Sequence, residues 1–389
     1  MRKLMLLALL IYSITVNAQL PSPVVLPNGW SLTPLGRSLS LGDLPLNMAV
    51  THSGKRMAVS NNGQSGHSIQ YIDVASEKIL HDMPIDKAWY GLAFSDDDQL
   101  LYVSAGHDNK INIYSTQGDH LDLKDSILLG QPWPNPIGPA GIAVNNKKQL
   151  LYTVTRDDSS LYIINTSSKS VLHKINLGAE AYTCMLSPDK TILYVSLWGG
   201  DKVLKLDAST GKKLNSAQVG DNPNEIILTK KGDRLYVANA NDNSVSVITT
   251  SNMKVVETLN AALYADAVPG STTNGLSLSA DEERLYIANA DNNALAVFEV
   301  EQLGASRSMG FIPVGWYPTN VRVVGKKVFV TNGKGFSSLA NPNGPNPIEK
   351  KQKVRFQQGD AAKPAAVQYI GGLFKGTMSI FEEPAEQAL

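Results

Sequence analysis

The chain has 389 residues, with 35 Lys and Arg balanced by 35 Asp and Glu, so its formal net charge is zero and its pI is near 7.0. That balance argues against a general binder of nucleic acid or of an acidic membrane surface, either of which calls for a basic excess. A lone cysteine excludes an internal disulfide framework.

At the start of the chain, Arg2 and Lys3 precede a short apolar run, Leu4 to Tyr12, and Val16-Asn17-Ala18 offers small residues before a cleavage point. Residues 1–18 therefore read as a signal peptide, with a mature start near Gln19 and export to the periplasm or beyond in a bacterium. The apolar run is too short to span a bilayer. Residues 19–34 are read as a lead-in.

From residue 35 the chain repeats itself. The clearest unit runs from Pro223 to Leu259: an apolar run, a Lys-Lys-Gly-Asp turn, Leu235-Tyr236-Val237-Ala238-Asn239, an Asn-Asp-Asn turn, Val245-Ser246-Val247-Ile248, and a further apolar run ending at Leu259. Strand-length runs of β-branched and aromatic residues between Gly, Asn and Asp turns predict an antiparallel meander. Leu285 to Asn289 copies Leu235 to Asn239 almost letter for letter, and Leu193, Leu151 and Leu101 open looser copies. Met57 to Asn61 and Val328 to Asn332 are the degenerate ends. The period, roughly 42 to 50 residues, is that of a four-stranded propeller blade. The predicted fold is all-β: a seven-bladed β-propeller of four-stranded antiparallel blades over 35–384, with an insertion at 333–375 and a tail at 385–389.

Inner strands are predicted near Leu46–Thr51, Trp89–Ser95, Pro139–Asn145, Ala181–Ser187, Pro223–Thr229, Thr273–Ser279 and Pro318–Val324. Cys184 aligns with Met48, Leu92, Ile142, Ile226, Leu276 and Val321, which makes it a core hydrophobe. The preceding position holds Asn47, Gly91, Gly141, Thr183, Glu225, Gly275 and Asn320, mostly small, as a crowded axis requires. Glu225 is the exception and is expected to face the channel. The last unit lacks a fourth strand, and Leu35 to Leu41 lacks a blade, so the N-terminal strand is predicted to pair with Thr377 to Phe381 and close the ring.

Antiparallel alternation puts the loop between second and third strands on the same face as the loop into the next blade. The long loops Gln131–Gly138, Ala261–Thr272 and Gly333–Lys375 all belong to these classes, so one face is built up. That face collects Trp89, Tyr90, Trp133, Tyr182, Trp198, Tyr264, Trp316 and Tyr317, with Lys334 beside them. Rings with a polar handle suit a ligand or partner surface. The Asn and Asp clusters read as tight turns. No metal-ligand spacing, nucleophile elbow, Walker loop or haem-attachment motif occurs, and no cofactor is expected. A catalytic alternative, a lactonase-type hydrolase or a quinone- or haem-dependent oxidoreductase, would draw on Glu225, Arg156, His107 and Lys334. The basic run Lys350-Lys351-Gln352-Lys353 with Arg355 reads as a solvated loop, and no nucleic acid is expected.

The Leu-Tyr-Val-Ala-Asn strand, the Asn-Asp-Asn turn and Val-Ser-Val-Ile resemble the YVTN-type propellers of exported bacterial proteins. Val314-Gly315-Trp316-Tyr317-Pro318-Thr319, Thr331 to Gly335, and Tyr369 to Thr377 are similar to the propeller half of two-part exported proteins, in which an alkaline-phosphatase-like phosphoesterase domain follows. This sequence stops at Leu389, where that second part would begin, so no phosphoesterase residue is carried over. The chain is read as a fragment or a free-standing propeller. The expected function is a non-catalytic binding or scaffold module serving a phosphoesterase domain, another envelope partner or a small ligand.

Overall fold

Leu-Tyr-Val-Ala and its variants become strands because alternate side chains on both faces of each sheet find a neighbouring blade to pack against. The computed structural model describes residues 24–64, 66–132, 134–336, 341, 344, 354–355 and 367–389. Among them are seven four-stranded antiparallel sheets and two two-stranded pairings, Val24–Val25 with Ser31–Leu32 and Val354–Arg355 with Val367–Gln368. The signal-peptide reading, Trp133 and most of the insertion lie outside the described residues.

Six blades are plain meanders. The fifth runs Pro223–Leu228, Arg234–Asn239, Ser244–Thr249 and Lys254–Asn260 from axis to rim. The seventh is composite. Trp316–Val324, Lys327–Gly335 and Thr377–Glu382 are joined by Arg37–Ser40, with Ser38 opposite Ser379 and Leu39 opposite Met378. The predicted closure by the N-terminal strand is therefore observed.

Seven apolar clusters fill the seven gaps between consecutive blades. The closing cluster joins Met48, Met57 and Ile72 to Phe329, Met378 and Ile380. A fully buried side chain of this kind contributes about 1.5–3 kcal/mol, so each interface is a core in its own right. Cys184 belongs to the third-to-fourth interface, and burial pushes its thiol up to about 12, which leaves it unreactive.

The axis is as crowded as its small residues imply. A Cβ on Gly275 would stand 2.5 Å from the Asn320 Cα, and Gly91 and Gly141 are pressed as hard by Ala140 and Thr183. The Asn turns adopt left-handed backbone as expected, at Asn109, Asn243 and Asn293. Their side chains also pin the linker into the next blade. Asn243 accepts from the Gly270 and Ser271 amides and donates to the Val268 carbonyl, while Asn109 accepts from Gly138 and Asn293 from Tyr317. Short turns thus hold the long loops in place.

Candidate functional site

At the centre of the wheel, side chains from or beside the inner strands meet in a hydrogen-bonded knot. The Glu225 carboxylate accepts from Arg322 Nη2 at 2.6 Å, the Leu276 amide at 2.7 Å, the Tyr90 hydroxyl at 3.3 Å and Asn320 Nδ2 at 3.4 Å. Arg322 donates in addition from Nε to the Met48 carbonyl, from Nη1 to the Leu276 and Val321 carbonyls, and from Nη2 to Asn47 Oδ1. These contacts tie blades 1, 2, 5, 6 and 7 together. Burial works against the Arg322 charge, but Glu225 outweighs it and holds the guanidinium above its usual range. Burial, reinforced by Glu225, raises the Tyr90 phenol well above its ordinary value, so it stays protonated and donates. On the short-loop face the channel widens into a cavity of about 420 Å³ whose lining includes Arg322, Thr183 and, toward the rim, Lys190.

The sequence-predicted aromatics divide into three groups. Tyr90 and Tyr182 lie over the knot, ring centroids 4.6 Å apart, with Tyr90 buried and turned inward. Tyr317, in left-handed backbone, and Trp316 carry Lys334, whose Nζ stands 4.2 Å and 5.4 Å from the two ring centres; Phe374 meets Trp316 edge-on. A cation over an aromatic face is attracted by the ring quadrupole, about 0.5–1 kcal/mol at an exposed site. Trp198 and Tyr264 stand apart, 37% and 68% exposed.

The third group was not assembled by sequence reasoning. Trp89, on the linker between the first and second blades, is covered by the Arg156 guanidinium at 5.0 Å. Arg156 Nε reaches Asp157 at 3.0 Å and Glu180 at 3.5 Å, and His107 Nε2 stands 3.3 Å from Asp157. Burial, with the neighbouring Asp157 charge, raises Glu180 above the usual carboxylate range against the opposing pull of Arg156. Beside them opens a cleft of about 380 Å³ between the first three blades, lined by Gln64, His67, Lys87, Trp89, His107 and Arg156 among others. His67 Nδ1 accepts from the Ala88 amide at 3.0 Å, and burial, helped by Lys87, holds its pKa below the ordinary value.

Of the residues considered for a catalytic centre, His107 and Arg156 share one carboxylate, Glu225 is bound to Arg322 on the axis, and Lys334 sits on Trp316 and Tyr317. Arg322 was missed, although its register held a signal. The equivalent positions are Ala49, Ala93, Ala143, Met185, Ile227 and Ser277, so a lone charge there asks for a buried partner. Lys87 and His67 gave no signal, since only the linkers' path brings them to the cleft. Among the described residues no group of three His, Cys, Asp or Glu is placed to hold a metal ion, and no helix is long and apolar enough to cross a membrane.

Seven four-stranded antiparallel blades in a closed wheel, the last completed by the N-terminal strand, define a seven-bladed β-propeller. The chain belongs to the YncE-like β-propeller family, whose profile matches residues 13–326. It is 24% identical over 192 residues to YncE of Escherichia coli O157:H7, a match covering 46% of this chain and about half, 53%, of that protein. Two solved structures share the fold at 17% identity. Hydrazine synthase of Kuenenia stuttgartiensis superposes with a TM-score of 0.64 over 75% of this chain and 93% of that one. A protein from Desulfotomaculum acetoxidans of unknown function superposes at 0.58 over 70% and 87%. At that identity the likeness speaks for the fold alone.

Proposed function

We propose that this chain is an exported, non-catalytic binding module of the bacterial envelope, whose loop-rich face docks a phosphoesterase domain or another envelope partner. The observation that carries the reading is the pair of cation–aromatic assemblies on that face, Lys334 on Tyr317 and Trp316, and Arg156 on Trp89. Rigid rings with a charged tip, set on loops that short turns pin from below, offer contact area at little entropic cost. Resemblance of the Trp316 to Thr319, Thr331 to Gly335 and Tyr369 to Thr377 segments to two-part propeller–phosphoesterase proteins supports that choice of partner.

The test is binding of an alkaline-phosphatase-like domain supplied in trans, read by calorimetry. Trp316→Ala with Trp198→Ala should weaken it at least tenfold while the melting temperature stays within a few degrees. Unchanged affinity removes the aromatic face from the interface, and no binding by the wild type removes the phosphoesterase partner. Export is tested by N-terminal sequencing of the periplasmic protein, with Gln19 expected first.

A further inference from the structure

We propose that the cleft between the first three blades is a site for a small carboxylate with a planar apolar body. The inference rests on the loop-rich face being the binding face and names one ligand class for it.

Arg156 is held from behind. Its Nε is engaged by Asp157 and Glu180 and its Cζ stands 5.0 Å from the Trp89 ring centre, yet neither terminal nitrogen has a hydrogen-bond partner among the described residues. A guanidinium fixed at Nε presents its remaining N–H groups as a fork, the geometry that matches a carboxylate. Lys87 lines the same cleft and makes no hydrogen bond or ion pair to any described residue. The ionisable residues of the lining, His67, Lys87, His107 and Arg156, are all basic, and the acids that orient Arg156 stand outside it. Lys87 has no acidic partner there and Arg156 keeps its terminal N–H groups beyond the acids at Nε, so an anion in the cleft would meet two cations with donors to spare. Asn62 and Gln64 add neutral polar groups, and Leu44 and Trp89 provide an apolar wall for the rest of the ligand. A volume of about 380 Å³ suits a molecule of metabolite size, not a polymer.

The anion alone is ambiguous between carboxylate and phosphate. The fork accepts both, but the Trp89 wall favours a ligand with a flat apolar part.

The full chain is titrated with sodium benzoate, with acetate and inorganic phosphate run alongside, and the Trp89 indole N–H is followed by NMR. Benzoate should shift that signal saturably, at least tenfold more tightly than acetate or phosphate. Arg156→Met and Lys87→Met should each weaken benzoate tenfold or more, and Arg156→Lys should also weaken it because the fork is lost. Lys213→Met, on an exposed outer strand, should leave it unchanged. Each variant's melting temperature is measured, so that a folding defect is not read as lost affinity.

Three results would overturn the assignment: no saturable shift in the wild type, an unchanged benzoate constant in Arg156→Lys, or phosphate binding as well as benzoate with no loss in Trp89→Leu. Failure here, with partner binding still sensitive to Trp316 and Trp198, would remove the ligand and leave the docking role standing.

Discussion

Arg322 and Arg156 both sit beside carboxylates, and their surroundings leave them in opposite states. Arg322, at the hub, directs its five N–H groups at Glu225, Asn47 and the carbonyls of Met48, Leu276 and Val321. Arg156, on the decorated face, has only Nε engaged. The first lines the channel, yet protein surrounds it and its donors are spent. The second is 36% exposed at its side chain and keeps donors for something else. Counting satisfied N–H groups therefore separates an arginine whose donors are all used from one whose donors remain open, where charge and residue type do not.

The largest effect that would break this contrast is at the hub. Arg322→Met should destabilise the chain by about 3–5 kcal/mol, because Glu225 is left buried without its counter-charge. Adding Glu225→Gln should recover a large part of that loss. Chemical denaturation measures both, and equal midpoints for wild type and Arg322→Met would show the knot to be passive.

A smaller effect is expected at His67, on the wall of the cleft. Its folded pKa lies below the unfolded value of 6.5, so the unfolded chain binds the proton more readily. The stabilisation is complete above pH 6.5 and is lost as pH falls through the folded pKa. Protonation also removes the acceptor of the Ala88 amide, which holds the linker carrying Lys87 and Trp89. The denaturation midpoint should fall between pH 7.5 and pH 5, and His67→Gln should flatten that part of the profile.

The smallest stability effect is expected where the binding effect is large. Arg156→Met should cost no more than about 1 kcal/mol, as for other exposed ion pairs. A loss as great as that of Arg322→Met would place Arg156 in the scaffold and erase the distinction drawn here.

Much of this was legible beforehand, for local reasons. Leu235 to Asn239 and its copies announce strands through β-branched and aromatic residues. The Asn-rich turns announce left-handed backbone, and the missing fourth strand of the last blade points to the segment before Leu41. Gly91, Gly141 and Gly275 mark the axis because nothing larger fits there. The site was less legible. Trp89, Tyr90, Tyr182, Trp316 and Tyr317 were placed on one face, but that Tyr90 turns inward onto Glu225 depends on Arg322, which lies more than two hundred residues further along the chain.

The amino-acid sequence by itself determined the strands and their pairing, through side-chain alternation and turn chemistry within one repeat, and the blade count and ring closure, through the number of copies and the unmatched strand at each end. Tertiary structure alone decided which charges meet. Glu225 meets Arg322, and Arg156 meets Trp89, because curvature of the wheel sets separate blades side by side. The pairs Glu225–Arg322 and Trp89–Arg156 lie 97 and 67 residues apart, in different repeats, and no local pattern encodes which of these residues will face one another.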